Sequence, residues 1–365
     1  MVYENPTGDG NRRGPGRLRD RYSPRIRFGL GAVRGVGQSA LEGVFEAREK
    51  GGQFADFFDF AARVDSKRIN KGLLESLVQC GAYDSVAAPA GLTRARLYAS
   101  IDRALERSRN STRDRERGQT SLFSILGASR STEKSLFSDQ YSEALNWNRL
   151  ETLAREKVSL GCYVTGHPLD RYGNKLHRLD VVATKDLVNC EPWTIARVAG
   201  MVENYQEKIF RSGGGKAGFF VIEDLHGRVN AKIRGDRIEE CSELLKKGDA
   251  VIVTGKVNFP QTDEEEGDAE PTLLVDSVEH LGTAVQQVTR ALSIGIASQV
   301  ASKECWLRLN EVIRAFPGEC DVEFVVTLET GVSVSLGLEQ WKVSVDDRLL
   351  GALEQVVGYS ALELR

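Results

Sequence analysis

Histidine and methionine are scarce in this chain of 365 residues, with four of the first and two of the second. The histidines (His167, His177, His226, His280) are dispersed, and the six cysteines (Cys80, Cys162, Cys190, Cys241, Cys305, Cys320) include no Cys-x-x-Cys pair. Zinc sites draw on closely spaced ligand pairs, so no structural metal is expected. Scattered cysteines of this kind read as reduced cytosolic thiols. Long apolar runs are also missing. Stretches such as Ala250–Val253 and Phe324–Val326 fall far short of a bilayer span, and the opening Met1-Val2-Tyr3-Glu4-Asn5-Pro6 has no apolar signal core. No membrane partner is expected, and the cytoplasm is the expected location. A carboxylate set able to hold paired divalent ions on a rigid sheet is lacking as well. Asp321-Val322-Glu323 opens a strand with no phosphate-cradling loop nearby, while Asp263–Glu266 and Asp346-Asp347 fall in a loop and at a helix start. No catalytic residue, metal ligand or cofactor is therefore assigned.

What is present describes a globular protein: 41% hydrophobic and 28% charged residues, in a chain long enough for two or three domains. The net charge is −3, but it is unevenly spread. Residues 1–27 carry seven arginines against three acids, and residues 94–117 carry eight against four. Residues 263–270 form an acidic loop, Asp-Glu-Glu-Glu-Gly-Asp-Ala-Glu. Local basic stretches can meet phosphates even on a weakly acidic protein; solvated segments are the alternative.

Periodicity divides the chain into a multidomain α+β protein. Residues 1–25 have no apolar period and read as a disordered basic head. Residues 26–86 read as a compact all-α unit. One helical face carries Leu41, Val44 and Phe45, the next Phe54, Phe57, Phe58 and Ala61, and a third Ile69, Leu73 and Leu77. Residues 87–140 form a basic connector, and 141–190 a helical linker with Leu150, Leu153, Ala154 and Val158 in register, ending at Gly161. Across 191–283 the period becomes two. Strands are expected at Trp193–Val202, Gly218–Glu223, Arg228–Arg234, Ala250–Val257 and Thr272–Val278, with a helix at Ile238–Lys246 between the third and fourth. That is the layout of a five-stranded OB-fold β-barrel. Residues 284–365 read as a small α/β module, with strands near 292–296, 321–328 and 332–338 and helices at 302–316 and 346–357.

Two stretches suit nucleic acid. In Arg34-Gly35-Val36-Gly37-Gln38 a Gly-x-Gly turn precedes a helix, where bare N–H groups can approach a DNA phosphate without reading sequence. A plain helix cap is the alternative. In the barrel, Tyr205, Lys208, Phe219, Arg228, Lys232 and Arg234 offer aromatic platforms and cations for a single strand. Lys232 and Arg234 alternate with Val229, Ala231 and Ile233, so one strand face is basic and the other apolar. Burial of one phenylalanine of Phe219-Phe220, and an ordinary solvated basic face, are the alternatives.

The run Ile26-Arg27-Phe28-Gly29-Leu30-Gly31-Ala32-Val33-Arg34-Gly35-Val36-Gly37 resembles the tandem helix-hairpin-helix region of the bacterial DNA polymerase III alpha subunit. The likeness continues through Phe57-Phe58-Asp59-Phe60, Asn70-Lys71-Gly72-Leu73-Leu74-Glu75-Ser76-Leu77 and the block from Glu156 to Asp170. It resumes at Val198–Val202, Phe220–Gly227 and Ala315–Val322. The resemblance implies duplex and single-stranded DNA as partners, with 26–86 and 191–283 as the binding domains. It also implies that Gln119, Leu122 and Phe123 of Gln119-Thr120-Ser121-Leu122-Phe123 bind the beta sliding clamp. A local apolar cluster with Ile125 and Leu126 is the alternative for that pair. The C-terminal module would contact the clamp-loader tau subunit. Polymerase chemistry and its magnesium would belong to catalytic domains missing from this chain, leaving it inactive alone; a separately encoded catalytic part is then a candidate partner, and a frameshifted or truncated gene product is the alternative. His167 before Pro168 reads as a structural turn. A stand-alone single-strand-binding accessory protein that docks on the clamp is the competing reading.

Overall fold

The computed structural model describes residues 2–3, 26–116, 141–210, 215–235, 237–260, 270–358 and 361–365. They divide into two compact units, Met1–Thr165 and Gly166–Arg365.

In the first unit, Val2–Tyr3 pairs antiparallel with Ile26–Arg27; the rest of the basic head lies outside the described residues. Helices follow at α1 (Gln38–Gly51), α2 (Phe57–Arg63), α3 (Lys71–Gln79), α4 (Arg94–Ala99), α5 (Ile101–Glu116) and α6 (Arg149–Leu160). Capping side chains fix four of these starts. Asp56, Asn70, Thr93 and Asn148 each accept the backbone N–H three residues on, satisfying a donor the helix cannot. The core joins Val44, Phe57, Phe58, Phe60, Leu74 and Leu77, with Tyr83 edge-on to Phe57 at 5.0 Å and to Phe60 at 5.5 Å.

The structure differs here from the periodicity in three places. Phe45 is exposed, and α1 turns Ala40, Val44 and Ala47 inward instead. Residues 94–116 of the expected connector are helical, and Leu97, Ile101 and Ala104 of α4 and α5 are buried in the same core. On α6, Val158 is exposed while Leu153, Glu156 and Ser159 are buried. Glu156 is tolerated there because it is fully paired. One carboxylate oxygen accepts from Arg94 Nη1 at 2.8 Å, the other from the N–H groups of Thr165 (3.0 Å) and Val164 (3.3 Å) and from the Thr165 hydroxyl (3.2 Å). Arg94 in turn donates to Asp84 and to the Gln79 carbonyl.

The second unit opens with turns that pack on its core. His167 caps the short helical segment Pro168–Tyr172, its Nδ1 accepting from the Leu169 N–H at 3.2 Å while Asp170 accepts the His167 N–H; the structural-turn reading of His167 holds. The barrel strands are β1 (Ile195–Phe210), β2 (Gly215–Glu223), β3 (Arg228–Arg234), β4 (Ala250–Asn258) and β5 (Thr272–His280). They close in the order β1-β2-β3-β5-β4, with β3 and β5 parallel and the other pairs antiparallel. Helix α7 (Arg237–Lys247) buries Ile238, Cys241 and Leu245 in the barrel core. Two boundaries of β1 move. Trp193 has φ +69° and cannot continue a strand. At the other end β1 runs on to Phe210, held by register partners from Gln206↔Phe219 to Phe210↔Gly215.

Beyond the barrel come α8 (Leu281–Val288), β6 (Ala291–Ala297), α9 (Lys303–Ala315), β7 (Pro317–Thr327), β8 (Ser333–Val343), α10 (Asp347–Val357) and β9 (Leu362–Leu364). The sheet order is β8-β7-β6-β9. Helix α8 and strand β9 were not legible in the periodicity. The expected boundary between 283 and 284 falls inside α8, whose Leu281, Ala284 and Val285 share one core with Ala199 and Ile252 of the barrel and Leu292, Phe324 and Leu353 of the terminal module. Buried Arg171 ties the turn before the barrel to α10 through Asp347 (3.1 Å) and Glu354 (2.7 Å). No helix among the described residues is long and apolar enough to cross a membrane.

Candidate nucleic-acid interface

In the first unit, a 3-10 turn at Leu30–Ala32 leads into the Gly-x-Gly turn, so the described approach to α1 is a single turn, not a full helix. Gly35 has φ +81°, where side chains strain the backbone. Gly37 is the N-cap of α1, has an ordinary extended conformation, and a Cβ there would meet nothing within 4 Å. Gln38 begins the helix, whose first N–H groups have no intrahelical acceptor. These residues, with Val36 half-buried beneath them, form a bare backbone corner at a positive helix end. Arg34 is exposed; its N–H donates to the Ser159 carbonyl at 2.8 Å and its guanidinium lies over Gly161. After α3 the chain turns at Gly81 (φ +77°), against which Arg94 is packed.

In the second unit, strand β3 separates its faces cleanly. Val229, Ala231 and Ile233 are buried, while Arg228, Asn230 and Arg234 are exposed and Lys232 half-buried on the outside. Phe220 enters the barrel core, and Phe219 faces out. Phe219 is the register partner of Lys232, and the ammonium groups of Lys208 and Lys232 stand 5.4 and 5.2 Å from its ring centroid. Partial burial and then the neighbouring Arg234 charge hold the Lys232 ammonium below the ordinary lysine range. An anion bound there would relieve both costs.

Two of the expected barrel residues stand apart from this group. Tyr205 packs on the barrel core, 6.2 Å from Phe220, with its hydroxyl donating to Glu207 at 3.0 Å, so it is not an open stacking platform. Burial raises its phenol, and the Glu207 contact adds to this. Arg228 shares the outer face but is held by Glu223 (2.9 Å) and Glu203 (3.6 Å). Glu207 also takes Lys216 at 2.6 Å and Lys246 at 3.3 Å; the hydrogen bonds from Lys216 and then Tyr205 hold its carboxyl down at about 2. Gln119, Leu122 and Phe123 lie outside the described residues. Among the described residues no group of three or more His, Cys, Asp or Glu side chains is placed to hold a metal ion. Asp321 pairs with Lys342 and Glu323 with Arg365.

Residues that the sequence reading passed over also line this surface. A groove of about 620 Å³ runs beside Lys232 and Arg234 and is bordered by Trp193, Lys256, Leu274 and Asn258. The only available signal was the alternation of β4, which puts Lys256 outside between buried Gly255 and Val257.

The architecture defines a helix-hairpin-helix and OB-fold chain. Residues 17–97 match the family model described as a helix-hairpin-helix motif, and residues 196–281 match that of an OB-fold nucleic acid binding domain. Over nearly its whole length the chain is similar to DNA polymerase III subunit alpha. It is 29% identical to that subunit from Vibrio cholerae and from Escherichia coli K12, over 342 residues that make up 93% of this chain and 28% of each relative. Against the subunit from Caulobacter vibrioides it is 30% identical over 341 residues, again 93% of this chain and 28% of the relative. The chain thus spans about 28% of the length of the curated relatives it matches.

Proposed function

We propose that this chain holds DNA during replication. The hairpin corner at Gly35–Gln38 meets duplex backbone, and the outer barrel face meets single-stranded template. The observation that carries this reading is the one-sided barrel: Phe219 faces outward between Lys208 and Lys232 with Arg234 beside them, while Phe220 is buried. An outward aromatic flanked by cations stacks a base and takes its phosphates. The similarity to a replicative polymerase subunit supports the same reading. Gln119, Leu122 and Phe123 are proposed to dock on the sliding clamp, and the terminal α/β module to meet the clamp loader. Nucleotidyl transfer is not assigned to any residue of the chain; Asp321 and Glu323 are engaged by basic side chains. Anisotropy titrations of labelled duplex and oligo-dT with the purified chain test the proposal. Salt-sensitive binding that does not depend on sequence is expected, and absence of binding to both at low salt would sink it.

A further inference from the structure

Trp193 combines two properties that rarely coincide. It is 61% exposed, and its φ of +69° lies in the left-handed region that bulky side chains avoid. The strain is held in place by hydrogen bonds: the Trp193 N–H donates to the Val257 carbonyl at 2.7 Å, and the Val257 N–H to the Thr194 carbonyl at 2.9 Å. An indole kept in the open at a disfavoured backbone angle gains nothing for the core, and such outliers concentrate where ligands are gripped.

The register shows what Trp193 faces. Lys232 pairs with Leu274, and Leu274 with Lys256. The cations therefore stand on β3 and β4, two strand steps of about 4.8 Å apart, with Leu274 on β5 as an apolar floor between them. Trp193, bonded to the backbone beside Lys256, closes the groove, and Arg234 lines it on the β3 side. Among the described residues, Lys232, Arg234 and Lys256 have no carboxylate partner, whereas Arg237 at the margin is paired with Asp276. Cations without a carboxylate partner, an apolar floor and one open aromatic wall suit a planar base with phosphates on either side.

We infer that this groove holds an unpaired nucleobase stacked on Trp193, with the flanking phosphates on Lys232, Arg234 and Lys256. The inference rests on the proposed single-strand binding by the barrel. It extends the strand's path from the Phe219 side, across β3, β5 and β4, to a second aromatic platform.

The test uses the full chain, labelled oligo-dT and three variants: W193G, W193F and the pair K232A/R234A. Glycine adopts a φ of +69° freely, so W193G is expected to melt no lower than wild type. Loss of a stacked base should weaken oligo-dT binding about tenfold or more. W193F should stay within a few-fold of wild type, and both single variants should keep the wild-type salt dependence. Saturating oligo-dT should quench wild-type tryptophan fluorescence, and W193G should lose that quench. If W193G binds like wild type while K232A/R234A binds weakly, the barrel binds strands but Trp193 is off their path, and the inference fails alone. If wild type does not bind oligo-dT, both readings fail. Should W193G unfold, W193F decides, since the chain carries three other tryptophans: loss of the oligo-dT quench in folded W193F sustains the inference, and a quench equal to that of wild type overturns it.

Discussion

The Lys232 ammonium lies 5.2 Å from the ring centroid of Phe219, the residue opposite it across the β2–β3 ladder. One charge therefore serves two purposes. It steadies the ring against the sheet, and it remains on the solvent side, where a phosphate can reach it. Replacing Lys232 and Arg234 by alanine should flatten the dependence of log affinity on log salt for single strands by about 0.7 per lost phosphate contact. An unchanged slope, measured by anisotropy across a salt series, would assign both residues to an ordinary solvated face.

The hairpin glycines are separable tests. A side chain at Gly37 meets no neighbour within 4 Å and no unusual φ, so Gly37→Val should cost no more than about 1 kcal/mol at the N-cap while obstructing a phosphate. Gly35→Val should also strain the turn, because φ is +81° there, by roughly 1–2 kcal/mol. Weakened duplex binding by folded Gly37→Val is the expected result. Unchanged affinity would reduce the turn to a helix cap.

Arg94 and Glu156 are expected to act as one unit. Glu156 is fully buried, and Arg94 holds it at 2.8 Å. Truncating Arg94 to alanine strands a buried carboxylate and should destabilise the first unit by about 3–5 kcal/mol. Replacing both by apolar residues of similar volume should recover most of that loss. Urea unfolding of the two variants makes the comparison, and equal destabilisation by both would show that the pairing is incidental.

A pH effect is expected at Glu207. Its carboxyl is held at about 2 by the hydrogen bonds from Lys216 and Tyr205, against about 4.3 in an unfolded chain. A depressed carboxylate contributes stability that is complete above the unfolded value and is lost as pH falls from there through the folded one. Carboxyl NMR should give a midpoint near 2, and Lys216→Ala should move it upward. A wild-type midpoint near the ordinary value would show that the Lys216 contact does not persist in solution.

Leu122 and Phe123 stand in a basic, polar stretch of sequence. If they fill a pocket on the sliding clamp, losing such an anchor costs at least about 2 kcal/mol, roughly thirtyfold in affinity. The Leu122→Ala, Phe123→Ala double variant should lose clamp binding while DNA binding and melting temperature stay unchanged. Normal clamp binding by that variant would refute the contact, and a lowered melting temperature would place the pair in an internal cluster.

The barrel was legible because burial repeats every second residue: Val229, Ala231 and Ile233 inside and Lys232 outside announce a strand and its open face. What stayed hidden has physical causes. From Glu203 to Phe210, β1 is held by hydrogen bonds to β2 and not by a buried stripe, so its composition alone gives no strand signal. Helices α4 and α5 bury Leu97, Ile101 and Ala104 among arginines, and the charge masks the apolar spacing. Glu156 defeats any apolar template, since its burial depends on Arg94, 62 residues away in the chain. Trp193 looks like the first residue of a strand until its backbone angle is known.

Helix α8 begins directly after β5 and buries Leu281, Ala284 and Val285 against residues on both sides of it. Shared burial of this kind should make the second unit melt as a single cooperative block, which a single calorimetric transition for that unit would show. Cutting the chain after the last barrel strand would expose Ala199 and Ile252 to water, and a barrel excised that way should aggregate before its affinity for DNA could be measured.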